Sequence, residues 1–262
     1  MKAHALYIPL AMIENDVLRG YATYLLAHSH PDFWNSPSSS TGKHHPDQHN
    51  RRGEVIVGLE VGGLIAHTWH VLAVAFESMR RYGCSTKLGR DDLQRWARTR
   101  DCLAFACILH DWAKNGDPTR GEWGRHTTSD HGEVAARVIS GPMFDRFLIA
   151  FPEVHGDAEV DLRGMVDEAS HAIQHHYGIW GRDHLKPSSS ELTDLDRMLS
   201  EGDYFCTRRF LGEFDGNRIM ASLRELCPKA LPGCQSQVIP LTPEPEVTEA
   251  PVQPIDTSEF MW

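Results

Sequence analysis

Histidines and aspartates recur along this chain inside stretches that otherwise have the composition of apolar helix. They are His67, the pair His110 and Asp111, His131, the pair His175 and His176, and Asp203. A buried imidazole or carboxylate costs free energy unless a partner compensates it. A metal ion would compensate all of these groups at once, so the pattern indicates metal binding.

Simpler explanations exist for each position taken alone. His67 shares a helical face with Leu64, where a core histidine bonded to backbone is the alternative to a metal ligand. Asp111 follows the apolar run 103–109 and needs a cation, which Lys114 or a metal ion could supply. Two of the strongest candidates therefore have an ordinary structural alternative.

Asp203 poses the same question on another helix, because it lies on the apolar face of Leu195 and Leu199. A carboxylate there is protonated, paired with Arg208 or Arg209, or bound to metal. The residue alone leaves these three states open.

The elements that must position these side chains are predicted to be helices. Apolar residues recur at the helical period over 8–27, 63–82, 91–113, 129–139, 157–176, 193–211 and 216–226, and more weakly over 144–151. Only 54–59 has the character of a strand. The predicted fold class is all-α.

Two segments interrupt or follow the helical pattern. Residues 28–53 are rich in Pro, Ser, His and Asn, which predicts a long loop close to the site. From 231 to 262 the chain has six prolines, five acidic residues and no lysine or arginine, which is typical of a disordered tail. We therefore predict a helical domain over 1–229 and a disordered tail over 230–262.

Composition limits the partners. The 262 residues carry a formal charge of −10, which argues against holding extended nucleic acid by phosphate neutralisation. Six cysteines without a CxxC pair indicate free thiols in a reducing compartment. The beginning of the sequence reads neither as a signal peptide nor as a membrane span, so a cytoplasmic location without membrane contact is expected.

The sequence motifs around the candidate ligands resemble those of the HD superfamily of metal-dependent phosphohydrolases. Residues 62–68, GGLIAHT, are similar to the GGLxxHT word, and 109–114, LHDWAK, are similar to LHDxxK. With Asp203 they give the H…HD…D order of that superfamily. The resemblance covers about residues 38–210 and implies an HD-domain helical bundle.

Two further sequence motifs resemble those of the two-metal branch of the superfamily. His131-Gly132 and 175–178, HHYG, are similar to words of the HD-containing 3′-5′ exoribonucleases and the HD-GYP phosphodiesterases. The GYP word itself is missing, so cyclic di-GMP is not implied. Residues 37–46 resemble the segment before GGLxxHT in phage and mobile-element HD proteins.

The resemblance and the donor types together imply the cofactor. Imidazoles and carboxylates without thiolate favour one or two divalent ions of Mn, Fe, Co, Ni or Zn over Mg. Asp111 would bridge two ions, which could share a hydroxide and aim it at phosphorus. The first ion would be held by His67, His110 and Asp203, and the second by His131 with His175 or His176. With the first four ligands alone, the site would hold one metal.

Other residues are candidates for catalysis and for binding the substrate. Asp111 and Lys114 are the residues expected to act in catalysis, and Lys114 could contact a phosphate oxygen or form a salt bridge with Asp111 or Asp117. The candidate substrate-binding residues are Lys43, His44, His45, His126, Trp180 and Arg182.

The expected function is hydrolysis of a phosphoester in a nucleotide or short oligonucleotide. Phosphomonoesterase, phosphodiesterase and nucleotidase activities stay open, as does assembly into a homo-oligomer. One alternative is an HD-type di-iron oxygenase, which uses a similar ligand set. Another is a nucleic-acid processing or mobilisation component of a mobile element, against which the acidic charge argues.

Overall fold

The computed structural model describes residues 6–34, 63–84, 90–117, 119–120, 122–123, 130–178, 188 and 190–206. All of them belong to the unit Met1–Leu231. The fold is all-α, as predicted. The helices are α1 (Tyr7–Ala11), α2 (Asp16–Ala27), α3 (Gly63–Cys84), α4 (Arg90–Leu109), α5 (His131–Ser140), α6 (Pro142–Ala150), α7 (Asp157–Gln174) and α8 (Asp194–Tyr204).

The first predicted helix, 8–27, is two helices with a break over 12–15. Asn15 caps α2 by accepting a hydrogen bond from the backbone N of Leu18 at 2.9 Å. Asp101 of α4 accepts from the backbone N of Glu14 at 3.0 Å and of Asn15 at 2.8 Å. The break therefore satisfies its backbone donors with a cap and with a carboxylate from a distant helix.

Helix α4 runs through the centre of the core. Every residue from Cys102 to Leu109 is fully buried, so the apolar run seen in the sequence is surrounded on all sides. Each large apolar side chain in such a position contributes about 1.5–3 kcal/mol. After α4 the buried Trp112 donates from its indole N to the backbone O of Leu25 at 2.9 Å, which attaches the following turn to α2.

Two helices end before the candidate ligands that were predicted to lie on them. Helix α4 ends at Leu109 and not at 113, and α7 ends at Gln174 and not at 176. The sequences 110–115 and 175–177 form turns instead. Apolar periodicity continues into these turns because their residues are also buried, and burial does not require a helix.

A small hairpin was not predicted. Strands β1 (Gly116–Asp117) and β2 (Glu122–Trp123) pair antiparallel, with Gly116 opposite Trp123. Gly116 has a φ of 120°, a conformation that favours glycine. Asp117 accepts from the backbone N of Thr119 at 2.8 Å and from Arg137 at 2.5 Å, which fixes the hairpin against α5.

Several predictions concern residues outside the described ranges. They are the loop beyond Trp34, the strand 54–59, the helix 216–226 and the tail 230–262. The start of the loop is described and contains a short 3-10 helix, Pro31–Trp34, whose Phe33 and Trp34 are buried. Among the described residues, no helix has the length and apolar character needed to span a membrane.

Candidate metal centre

Six of the predicted ligands converge in the core from five parts of the fold. They are His67 of α3, His110 and Asp111 of the turn after α4, His131 at the start of α5, His176 after the end of α7, and Asp203 of α8. All are buried except Asp203, whose side chain is 15% exposed. Histidine and carboxylate groups rarely cluster in a core without a cation.

Asp111 lies at the middle of the cluster. Its Oδ1 is 2.7 Å from Nε2 of His131. Its Oδ2 is 3.7 Å from Nε2 of His67 and 3.6 Å from Nε2 of His110. The two oxygens of one carboxylate therefore face two different groups of imidazoles, which is the arrangement of a bridging ligand.

The first group consists of His67, His110 and Asp111, whose ligand atoms lie within 4.8 Å of one another. Nε2 of His110 is 3.2 Å from Nε2 of His67. Nε2 of His67 is also 3.1 Å from Oδ1 of Asp203, so this carboxylate borders the same group. Four donor side chains thus meet around one point.

The second group consists of Asp111, His131 and His176, again with ligand atoms within 4.8 Å of one another. The rings of His131 and His176 have centroids 5.2 Å apart. The hydroxyl of Tyr177 lies 3.0 Å from Nε2 of His131 and covers this side of the cluster. The two groups share Asp111 and could hold one metal ion each.

Backbone hydrogen bonds orient two of the imidazoles. Nδ1 of His110 donates to the backbone O of Cys107 at 2.8 Å, and Nδ1 of His176 donates to the backbone O of Ile173 at 2.7 Å. A carbonyl oxygen only accepts, so the proton of each neutral ring is on Nδ1 and the lone pair on Nε2. This outer hydrogen bond is what metal-binding histidines usually make, and the donor set therefore fits a metal ion.

Burial and neighbouring charges hold four of the donors in the protonation state that metals require. Burial lowers the pKa of His110, and it lowers the pKa of His176 to about 3 with added repulsion from His131. Burial opposes ionisation of Asp111, but Lys114 and the hydrogen bond with His131 hold its pKa well below its ordinary value. Burial likewise opposes ionisation of Asp203, and its hydrogen bond with His67 lowers its pKa. These shifts favour neutral imidazoles at His110 and His176 and ionised carboxylates at Asp111 and Asp203.

Lys114 lies beside the first group. Its Nζ donates to Oδ2 of Asp111 at 2.6 Å, and its side chain is largely buried. Of the two salt bridges considered for this lysine, the structure shows the one with Asp111.

Two glycines let the ligand-bearing helices come close together. A Cβ on Gly132 would lie 2.8 Å from the ring of His176 and from the backbone O of Ile173, so α5 packs directly on the end of α7. A Cβ on Gly202 would lie 3.0 Å from the backbone O of Val71, so α8 packs directly on α3. Each glycine is next to a candidate ligand, which explains the small residue after His131 and before Asp203.

The structure separates the two adjacent histidines. His176 belongs to the buried cluster, whereas His175 lies in another group with His171 and Asp196. The sequence left open which of the pair accompanies His131, and the geometry places His176 there. Chain direction changes at the end of α7, so neighbouring side chains leave the turn on different sides.

Some contacts of the site were not anticipated. Tyr177 was seen only as part of the HHYG word, and His171 and Asp196 were not considered as ligands. The spacing of four between His171 and His175 was the available signal, because it places two imidazoles on one helical face. His70, one turn after His67, is also buried, and burial lowers its pKa to about 4.

The predicted substrate contacts lie outside the described residues. These are Lys43, His44, His45, His126, Trp180 and Arg182. Arg208 and Arg209, considered as partners of Asp203, lie outside them as well. Of the six cysteines, Cys102, Cys107 and Cys206 are described, and all three are free and buried.

Comparisons with protein families, with curated proteins and with solved structures find no match to this chain. The function must therefore be argued from the helical fold and from the buried groups that could hold metal.

Proposed function

We propose that this chain is a metal-dependent phosphohydrolase of the HD type that acts on a phosphoester of a nucleotide or short oligonucleotide. The observation that carries the proposal is the position of Asp111, whose two oxygens face two groups of imidazoles. A carboxylate shared by two ligand groups is the feature that a two-metal hydrolytic site needs.

The proposed ligands divide between two ions. His67, His110 and Asp203 would hold one, His131 and His176 would hold the other, and Asp111 would bind both. When bound, such ions lower the pKa of water and stabilise the charge that develops on a phosphoryl group. We expect Mn²⁺ or Fe²⁺ to serve, with Co²⁺, Ni²⁺ and Zn²⁺ as alternatives.

The protein side chains have their own tasks in this proposal. Backbone bonds to His110 and His176 hold both rings in one tautomer and one orientation. Lys114 forms a salt bridge with Asp111, and in this proposal its ammonium would bind a phosphoryl oxygen. The apolar walls of α4 and α3 keep bulk water from the ligands and strengthen each electrostatic contact.

The order of the ligands along the chain also supports the HD type. The HD resemblance names His67, His110, Asp111 and Asp203 from the sequence alone, and the two-metal words add His131 and His176. These residues are spread from position 67 to position 203, and yet they meet in one cluster. Their convergence supports the proposal.

The test is metal analysis joined to a substrate screen. Purified protein is stripped of metal, reloaded with Mn²⁺ or Fe²⁺, and assayed on nucleoside monophosphates, deoxynucleoside triphosphates, cyclic dinucleotides and single-stranded oligonucleotides. Activity that appears with metal and disappears in Asp111→Asn is the expected result. The matched control is His155→Gln, which removes an exposed histidine outside the cluster.

The same screen includes the competing chemistry. A similar ligand set could serve a di-iron centre that activates oxygen, so oxygen uptake is measured with the iron-loaded protein in parallel. Oxygen consumption that depends on Asp111, without release of phosphate or nucleotide, would overturn the hydrolase proposal. So would phosphoester hydrolysis that is unchanged in Asp111→Asn.

A further inference from the structure

A second cluster of metal-binding side chains lies at the junction of α7 and α8. His171 and His175 are four residues apart, and their ring centroids are 4.4 Å apart. Asp196, in the first turn of α8, has its Oδ1 3.0 Å from Nδ1 of His171. Ligand atoms of the three residues lie within 4.8 Å of one another.

Asp196 is held in place by the start of its own helix. Its Oδ2 accepts from the backbone N of Thr193 at 2.6 Å, and its backbone N donates to Oγ1 of Thr193 at 3.2 Å. This reciprocal pair is a capping box. The carboxylate is fully buried, and with Oδ2 used by the cap, Oδ1 is left facing the imidazoles. A ligand oriented by an outer hydrogen bond is well prepared for a metal.

His175 supplies the second observation. Its Nδ1 is buried and has no hydrogen-bond partner among the described residues. A buried polar atom without a partner costs free energy, which a cation at this point would remove. Glu191, whose Oε2 accepts from the backbone N of Ser188 at 2.7 Å, adds negative charge that acts on both histidines.

We propose that His171, His175 and Asp196 form a binding site for a divalent transition metal ion, separate from the buried centre. Two imidazoles and one carboxylate suit Zn²⁺, Co²⁺, Ni²⁺ or Cu²⁺, with water completing the coordination. His171 is 40% exposed, so the ion exchanges with solution. Bound there, it ties α7 to α8, the elements that present His176 and Asp203 to the buried centre.

The site is tested by counting bound metal in the full-length protein. Metal-free wild type, His171→Gln and Asp196→Asn are titrated with Co²⁺ and Zn²⁺, and His155→Gln is the matched loss of an exposed histidine. We expect His171→Gln and Asp196→Asn to weaken one binding event by at least about tenfold, while His155→Gln does not. An unchanged number of bound ions and unchanged affinity in His171→Gln would show that His171 and Asp196 form only a hydrogen-bonded pair.

A second experiment looks for a new spectroscopic signal rather than for weaker metal binding. In His171→Cys the new thiolate would be a ligand, so Co²⁺ should produce an intense near-ultraviolet thiolate-to-cobalt band. The matched variant His155→Cys should not produce it. Absence of the band from His171→Cys that binds the same number of Co²⁺ ions as His155→Cys would overturn the site.

This inference does not depend on the proposed function. The same titration in Asp111→Asn separates the two, because that change affects only the buried centre. A binding event that depends on His171 and persists in Asp111→Asn supports the site even if no phosphohydrolase activity is found. Loss of that event in Asp111→Asn would contradict a separate site.

Discussion

His175 and His176, the two adjacent histidines that follow α7, lie in two different environments. His176 is almost fully buried and meets His110, His131 and Asp111, and its Nδ1 is bonded to backbone. His175 is partly exposed and meets His171 and Asp196, and its Nδ1 is without a partner among the described residues. Adjacent residues of one type thus belong to clusters of different depth, charge and number of donors.

The difference shows what burial adds to a metal site. In the buried centre, carboxylates and imidazoles are shielded from water, so charge effects are strong and each ligand depends on the others. In the α7–α8 cluster, Asp196 is buried but His171 is 40% exposed, so water can reach the site and replace a missing ligand. Changes to the buried centre should therefore have large effects on activity, and changes to the α7–α8 cluster should mainly alter metal binding.

The largest effect is expected at Asp111. Asp111→Asn removes the charge that both ligand groups share, and we predict a loss in kcat/KM on the order of 10³-fold or more with Mn²⁺. His155→Gln provides the control. Steady-state kinetics on the best substrate of the screen measure the change, and a loss below about tenfold would contradict a bridging role.

His176 and His171 provide a direct contrast on one helix end. We predict that His176→Gln lowers kcat/KM by about 10²-fold or more, because it removes a ligand of the buried centre. His171→Gln should lower it by less than about threefold, since it alters only the α7–α8 cluster. Equal losses in the two variants would mean that the clusters act as one site.

Lys114 distinguishes a substrate contact from a structural salt bridge. Lys114→Ala should reduce kcat/KM by about 10²-fold, because a positive charge next to the developing phosphoryl charge is lost. Lys114→Arg should restore part of the activity if the charge acts on substrate. Thermal unfolding is measured for both, and a loss of stability without a loss of activity would assign Lys114 to the salt bridge with Asp111 alone.

Gly132 tests whether close packing positions His176. The Cβ of Gly132→Ala would contact the His176 ring at 2.8 Å. Such overpacking costs about 1–3 kcal/mol, so a lower free energy of unfolding and weaker Mn²⁺ binding are expected. Gly156→Ala is a poor control because its φ is 61°, whereas Gly20→Ala is suitable because nothing lies within 4 Å. Wild-type metal affinity in Gly132→Ala would argue against this role.

The metal-free protein should lose stability as the solution becomes mildly acidic. Burial lowers the pKa of His70 to about 4 and of His176 to about 3, against 6.5 in the unfolded chain. Below pH 6.5 the unfolded chain binds protons that the folded chain does not, so the free energy of unfolding falls as pH decreases toward 4. Each histidine contributes at most about 1.4 kcal/mol per pH unit.

Urea unfolding between pH 8 and pH 4.5 measures this slope. His70→Gln, which removes a buried histidine, should make the slope shallower, and His155→Gln is the matched loss of an exposed histidine. Asp111 and Asp203 have lowered pKa values and affect stability in a more acidic range. Their contribution to the free energy of unfolding is lost only as pH falls below about 3.8. A slope that is the same in His70→Gln and wild type would contradict the assignment.

Sequence reasoning predicted much of this arrangement because it depends on residue type and periodicity. The helical period is a local property, so it identified α3, α5 and α7 with small errors at the ends. The break before α2 could not be predicted, because Asp101, which satisfies its backbone, is 86 residues away from Asn15. The candidate ligands could be identified because imidazoles and carboxylates in apolar surroundings need a partner that offsets the cost of burying them.

What the sequence could not decide depends on chain direction at the helix ends. Which of His175 and His176 joins the buried centre depends on the turn that follows the end of α7 at Gln174. Asp196 has the sequence position of a capping residue, and only the packing of α8 on α7 brings it to His171. Tertiary contacts of this kind leave no signal in the spacing of residues along one helix.

The most direct test of the buried centre is electron paramagnetic resonance of the Mn²⁺-loaded protein. Two ions that share the Asp111 carboxylate should give the spectrum of an exchange-coupled Mn²⁺ pair. The coupled signal should disappear in Asp111→Asn and remain in His171→Gln. A wild-type spectrum of isolated Mn²⁺ ions alone, with the ion count unchanged in Asp111→Asn, would contradict the shared centre.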